Sequence, residues 1–492
     1  MDSRVQPSLS RRRALLLGGG LALTALVAAC QSSTPAAAPT AASASSAPAA
    51  APTAASAKSA PAPTTAPTAA SSSSSSATPA ATAASAGQAV SLSLSYRSGN
   101  APYFKERSTA FNKANPQFTI EQKPIAGSND AYYPKLSAEF AANSASDVFW
   151  VSTGFGMYDN YAFAQQLIAA DPFIQSDKVD VGQWFKAAIE TLKLDGKLYA
   201  LPWGMHPDDI GLYYNIDMLQ KAGVEAPSVD SETFDSLAQK AVKLTKRTGS
   251  HTDIWGIISK TTPFEGLISQ VRSFGGDFMS EDKKQAAANT PEFKDAITWF
   301  YNVRTQLKCN PLLAETPQAG AETPFVAGTV AMFNSGVWDM SLTDKIGTRF
   351  KMGVSLMPKG PKGTRGSMAH VDTISGYGKG KNQAQAFKFI EFLTNQESGV
   401  QNALANSFFG ARPDVWADPR PGQKYGKAYV DVWQTATENT MPLDEPYNFR
   451  LLELNTAMDN TMSKVWSGDS TPDKIIPTLQ DAMNTVLSKP RQ

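Results

Sequence analysis

Apolar residues recur along this chain in two rhythms, one alternating every second position and one returning every third to fourth. Residues 90–96 alternate apolar and polar side chains and predict a strand, and Arg97-Ser98-Gly99-Asn100 predicts the turn that ends it. Phe104 and Phe111 lie two turns apart and predict a helix over about 102–115. Residues 118–124 predict a second strand and 132–142 a second helix. The short run 147–151, DVFWV, predicts a strand of the kind buried on both faces in parallel sheets. Strand and helix alternate, which predicts a doubly wound α/β sheet. Ligands of such sheets sit beyond the carboxyl ends of the strands, so 97–100 and 150–155 are the first candidate pocket loops.

The stretch 195–224, DGKLYALPWGMHPDDIGLYYNIDMLQKAGV, breaks that alternation. Residues 197–201 predict a strand closed by Pro202, which cannot donate to a ladder. Residues 210–214 predict another, rich in β-branched and aromatic side chains. Between them a short polar bend holds Trp203, His206, Asp208 and Asp209, as expected of a crossover between domains that could grip a ligand. Further on, Phe234, Leu237, Ala238 and Ala241 predict a helix with Ser231 as its cap. A strand at 254–259, a helix at 264–274 stopped by Gly275-Gly276, and a helix at 291–307 follow. The segment PFVAGTVAMFNSGVWDMSL predicts a helix closed by Gly328, a strand at 330–333 and a turn presenting Trp338. Ala386, Phe389, Ile390 and Leu393 mark another helix, and helices at 449–466 and 472–487 end the chain. There is no internal repeat.

Composition divides the chain. Ser10-Arg11-Arg12-Arg13 precedes an apolar run at 14–29, which has the length of an export signal and is short for a membrane span. The arginines fit the twin-arginine route, with an ordinary secretory signal as the alternative. The run ends Val27-Ala28-Ala29-Cys30, a lipobox, so residues 1–30 are expected to be a lipoprotein signal and Cys30 the lipid-bearing residue. Residues 31–88 carry one charge, Lys58, among Ala, Ser, Thr and Pro, and predict a disordered linker with nothing to bury. Some 400 residues remain, more than one comfortable core, so at least two lobes are expected. The formal net charge is +1 with no long charged block, which leaves no electrostatic footprint for nucleic acid. Of two cysteines, Cys309 would have no partner once Cys30 carries lipid, so no disulfide is expected.

Four pieces resemble one family in their order and spacing. G-K-x-Y-A-L-P followed by L-Y-Y-N-x-D-x-x-x-K-A-G-V spans 196–224, and DVFWVSTGFGMYDNYAFAQQLIAAD begins at Asp147. G-x-x-A-M-x-x-x-G-x-W runs from Gly328 to Trp338, and KNQAQAFKFIEFLT begins at Lys381. These resemble the extracellular solute-binding proteins of ABC importers, family 1, the maltose-binding-protein-like group. The resemblance implies a two-lobe periplasmic-binding-protein-like α/β fold with discontinuous lobes. Lobe 1 would take 89–204 and 370–412, and lobe 2 would take 205–369 and 413–492. Hinge crossings would fall near 204–209, 366–371 and 411–414, with the ligand between the lobes. It also implies a binding protein without catalysis, cofactor or metal, lipid-anchored on the extracytoplasmic face. Its small-molecule solute would be a carbohydrate first, or else a polyamine, organic anion or metal complex, delivered to ABC permease subunits.

A sugar offers hydroxyl edges and apolar faces, so its site needs flat aromatics and hydrogen-bonding side chains. Trp150, Trp203 and Trp338 fall on expected loops and are implied platforms, with a place in the core as the alternative for each. Ser152 follows the strand at 147–151, and Arg97 and Asn100 follow the first strand. His206 and Asp208 lie at the first crossing, His370 and Asp372 at the second, and Arg412 at the third. Phe264 and Glu265 stand at a helix start, where the dipole alone also favours a carboxylate. A histidine at 206, where the family often has a carboxylate, and the neutral Ser152-Thr153-Gly154 both bear on which solute fits. Hydrolase, phosphate-loop and metalloprotease motifs are missing, and only three histidines occur. Asp208 and Asp209 are neighbours on a turn and would diverge, so a surface-anchored glycoside-acting enzyme is the weakest reading.

Overall fold

Two sheets organise the chain, built from β1 (Val90–Arg97), β2 (Phe118–Ile125), β3 (Val148–Ser152), β4 (Leu201–His206), β5 (Gly211–Asn215), β6 (Met332–Ser335), β7 (Met352–Leu356) and β8 (His370–Gly376). This is a computed structural model, and it describes residues 89–491 apart from 128 and 317–319. The expected signal at 1–30, the lipid site Cys30 and the linker 31–88 lie outside the described residues. The first sheet runs β2-β1-β3-β8-β4 and the second β6-β5-β7. β1 is parallel to β2 and β3, β8 is antiparallel to β3 and β4, and the second sheet is antiparallel throughout.

The first lobe follows its apolar pattern closely. β3 is buried at every position, as its unbroken apolar run requires. On helix Ala101–Ala114, Phe104 packs on Tyr96 with ring centroids 4.5 Å apart, and Phe111 packs edge-on to Phe118 at 5.1 Å. Pro202 does not close a strand. It lies inside β4, an edge strand where a residue without an N–H is tolerated. Gly204 pairs with Asp372 and Pro202 with Thr373, so Trp203 is the extra residue of a bulge. Trp203 to His206 therefore belong to a strand and not to the expected bend.

Two passages join the sheets. The chain leaves β4 for β5 through 207–210, and returns from β7 to β8 through 357–369. His206 and His370 are paired in the register, so both passages leave the first sheet side by side. The third passage lies later than 411–414. The Ala411 carbonyl accepts from the Phe185 N–H at 3.0 Å, and the Tyr425 hydroxyl bonds the Ala403 carbonyl at 3.0 Å, so this stretch stays with the first lobe. Helix Lys427–Glu438 then reaches the second sheet, where the Tyr429 hydroxyl donates to the Met352 carbonyl at 3.3 Å. Gly426, with φ 94°, joins the two parts.

In the second lobe, helix Phe234–Leu244 buries Phe234, Leu237, Ala238 and Ala241, as their spacing predicts. Its cap is Thr233 and not Ser231. The Thr233 hydroxyl accepts from the Ser236 N–H at 3.1 Å, while the Ser236 hydroxyl accepts from the Thr233 N–H at 3.0 Å. The strand expected at 254–259 is reduced to single bridges from Trp255 to Val330 and from Ile258 to Phe333, alongside β6. Helix Leu267–Phe274 stops at Gly275 with φ 93°. Helices Leu451–Trp466 and Pro472–Leu487 pack on each other and on helix Pro291–Thr305. Cys309 is a buried free thiol. Among the described residues no helix is long and apolar enough to cross a membrane.

Thr233→Ala should cost about 1 kcal/mol, the usual worth of a cap. Ser231→Ala should stay within about 0.5 kcal/mol, as surface changes do. Thermal melts of the two variants side by side check the assignment.

Candidate functional site

A cavity of about 460 Å³ opens at the carboxyl ends of β1, β3 and β4 and the amino end of β8. It brings together Arg97, Asn100, Trp150, Ser152, Trp203 and Asp372 from the first lobe, His206 and His370 from the paired strand ends where the passages begin, and Asp208 from the first passage. Glu265 and Trp338 join them from the second lobe. Two expected residues lie elsewhere. Phe264 is 1% exposed and packs edge-on to Phe278 at 5.2 Å, because the turn before Leu267 sends adjacent side chains opposite ways, Phe264 to core and Glu265 to the cavity. Arg412 is held within the first lobe. It grips the Asp414 carboxylate at 3.0 and 2.6 Å and Gln183 at 2.6 Å, with its guanidinium 5.4 Å over Trp184.

The tryptophans divide into walls and plates. Trp150, 1% exposed, has the Arg97 guanidinium 4.1 Å over its ring and Tyr133 stacked at 5.8 Å. Trp203, 2% exposed, donates its indole N–H to the Tyr103 hydroxyl at 3.0 Å and stacks on Phe104 and Phe408. Both back the cavity, and neither offers an open face. Trp338, Phe155 and Phe408 are only part-buried there. Sequence reasoning did not single out Phe155, Phe408, Asn129 or Asn406, although Phe155 ends the 150–155 loop. Nothing local marks Phe408. Helix Gln396–Asn406 ends on Ser407 with φ 54°, and that left-handed residue turns Phe408 inward. Close approach demands glycine at two points. A Cβ on Gly204 would stand 2.0 Å from the Phe408 ring, and one on Gly154 2.2 Å from His370 Nδ1.

Burial sets the charges. It draws His370 down to about 4 and His206, aided by His370 and Lys260, well below its ordinary value. Both imidazoles are therefore neutral, and they stack at 5.2 Å with planes 12° apart. Burial and the adjacent Asp209 push Asp208 up to about 8, so it holds its proton at neutral pH. Its Oδ2 meets the Gly266 N–H at 3.0 Å and the Ser269 hydroxyl at 2.5 Å. The 3.5 Å approach of His370 Nε2 to Asp208 Oδ1 thus joins two neutral groups and is not an ion pair. Lys260 lies 3.3 Å from Asp209, and although burial opposes its charge, Asp209 and Glu322 hold it protonated. Burial and Asp209 raise Glu265 to about 7, and burial raises Asp372 to about 6 against the pull of Arg97. His206 Nδ1 and Asp209 Oδ1 are buried without a protein hydrogen-bond partner. Among the described residues no three His, Cys, Asp or Glu side chains converge as metal ligands.

A family model described as bacterial extracellular solute-binding protein matches residues 97–400. The chain belongs to this family. A relative in Brucella abortus, named as a binding protein, is 24% identical over 313 residues, 63% of this solute-binding protein and 73% of the relative. An ABC substrate-binding protein from Listeria monocytogenes, solved in complex with cycloalternan, superposes with a TM-score of 0.71 at 22% identity, covering 81% of this chain and 99% of that one. The GacH receptor of Streptomyces glaucescens, solved unliganded and with acarbose, gives 0.70 at 20% identity over 82% and 100%. The fold of this solute-binding protein is thus the two-lobed α/β architecture.

Folded Asp208 keeps its proton to about pH 8, whereas an unfolded aspartate loses it near about 4. The folded state holds the extra proton in between, so stability falls as pH rises through 8. Asp208→Asn, which suits the φ of 68° at this position, should remove up to about 2 kcal/mol of the fall between pH 6.5 and 9. Melting curves across that range check it.

Proposed function

We propose that this solute-binding protein captures a carbohydrate between its lobes and delivers it to an ABC permease. The observation that carries the reading is the cavity itself. Part-buried Phe155, Phe408 and Trp338 supply apolar faces, while carboxylates, imidazoles and amides supply hydrogen-bonding edges. The relatives solved with cycloalternan and acarbose support the same ligand class. At about 460 Å³ the cavity lies toward the small end of ligand sites, roughly 300–1,000 Å³.

Arg97, Asn100, Ser152 and Asp372 would meet the ligand from lobe 1, Glu265 and Trp338 from lobe 2, and His206, Asp208 and His370 from the hinge. Lobe 1 would comprise 89–204 with 370 to about 426, and lobe 2 the remainder of the body. A ligand touching both lobes only when they are closed shifts the open–closed equilibrium by its differential affinity, and the permease reads the closed surface. Asp208 is engaged by Gly266 and Ser269 while Asp209 faces Lys260, so these two carboxyls are not arranged as a catalytic pair, which favours binding over hydrolysis. Export through the twin-arginine route and lipid on Cys30 would hold the protein at the outer face of the membrane, with 31–88 as its tether.

A thermal-shift screen of mono- and oligosaccharides tests the carbohydrate reading. A saccharide at 100 times its dissociation constant should add about 2.7 kcal/mol, and a screen in which none shifts the melt overturns the reading. Trp338→Ala should weaken that saccharide at least about tenfold while leaving the unliganded melt nearly unchanged. Trp150→Ala should cost about 3–5 kcal/mol in the unliganded protein. Equal losses would make Trp338 a core residue. Cys30→Ser should move the protein from the membrane to the soluble fraction of cells.

A further inference from the structure

We infer that the solute carries a protonated amine, held by Glu265 on one side of the cavity and Asp372 on the other, against the faces of Phe155, Phe408 and Trp338. This rests on the cavity being the solute site, and it narrows the chemistry of what enters.

Carboxyl groups outnumber cations around the cavity. Asp208, Asp209, Glu265 and Asp372 line it, and Glu322, Asp339 and Asp459 stand close behind as neighbours of Lys260 and Glu265. Against these stand Arg97 and Lys260, and both are already engaged. Arg97 lies over Trp150 and donates to Asn129 at 3.1 Å. Lys260 is shared between Asp209 at 3.3 Å and Glu322 at 3.6 Å. Among the described residues Glu265 and Asp372 make no ion pair, and one oxygen of Asp209, itself 1% exposed, has no hydrogen-bond donor.

A carboxylate beside an aromatic face is the arrangement that favours an ammonium group. The protein supplies its own example, since Lys260 Nζ stands 5.4 Å over Trp338 while it pairs with Asp209. An anionic solute would meet four carboxyls. A divalent metal would find no three converging ligands among the described residues. Neutral hydroxyls could bond the carboxylates but would leave their buried charge unbalanced, whereas an ammonium offsets it. Burial already holds part of the Glu265 and Asp372 population protonated near neutral pH, in the fields of Asp209, Lys260, Asp459 and Arg97. An arriving ammonium favours their ionised forms, so binding should release protons.

Isothermal titration at pH 6.5 tests this with four probes: the β-1,4 disaccharide of glucosamine, its N-acetylated form, cellobiose and spermidine. The amino disaccharide should bind at least about tenfold tighter than the two uncharged disaccharides. Its heat should vary between buffers of different ionisation enthalpy, which reports the released protons. Glu265→Gln and Asp372→Asn should each erase the preference, and their circular dichroism and melting confirm that they fold. Binding of spermidine alone would support the amine and overturn the carbohydrate reading. Equal or tighter binding of the uncharged disaccharides would overturn the amine and leave the carbohydrate reading standing. Binding of none would overturn the amine, and the saccharide screen decides the carbohydrate reading separately.

Discussion

The backbone pairing of β4 with β8 constrains everything else, because it forces both close passages between the lobes to start from neighbouring positions. His206 and His370 face each other in that register, and their imidazoles stack where the two chains leave the sheet. The same pairing fixes the floor of the cavity. Asp208 follows His206 by two residues, and Asp372 follows His370 by two, so the ladder that joins the lobes also places the polar groups between them.

Burial then shapes the chemistry of that floor. Carboxyls removed from water become weaker acids, and imidazoles removed from water become poorer bases. The cavity thus holds neutral histidines beside acids that titrate near neutral pH. Such a site tolerates its own excess of carboxyls only by keeping protons on some of them. Aromatic walls serve this arrangement too. Trp150 and Trp203 are spent on packing Arg97, Tyr133, Phe104 and Tyr103, which stiffens the wall behind the polar groups.

Much of the fold was legible because its signals are local. A buried parallel strand needs an unbroken apolar run, and β3 has one. An amphipathic helix needs its three- and four-residue spacing, and Phe234–Leu244 has it. The errors were local too. Pro202 reads as a strand end unless one knows that β4 lies at an edge, and Ser231 reads as a cap until the Thr233–Ser236 exchange is seen.

The amino-acid order by itself determined the alternation of strands and helices, the motifs of the family, and most of the residues that meet in the cavity, since these are carried by short-range periodicity and by motif spacing. Only the tertiary structure decided which aromatic faces stay open, that Phe408 enters through the left-handed Ser407, that Phe264 and Arg412 turn away, and how far each acid is weakened. Those outcomes depend on which groups remote stretches of chain bring into contact and on how much water that contact excludes, and neither quantity is written in any one segment.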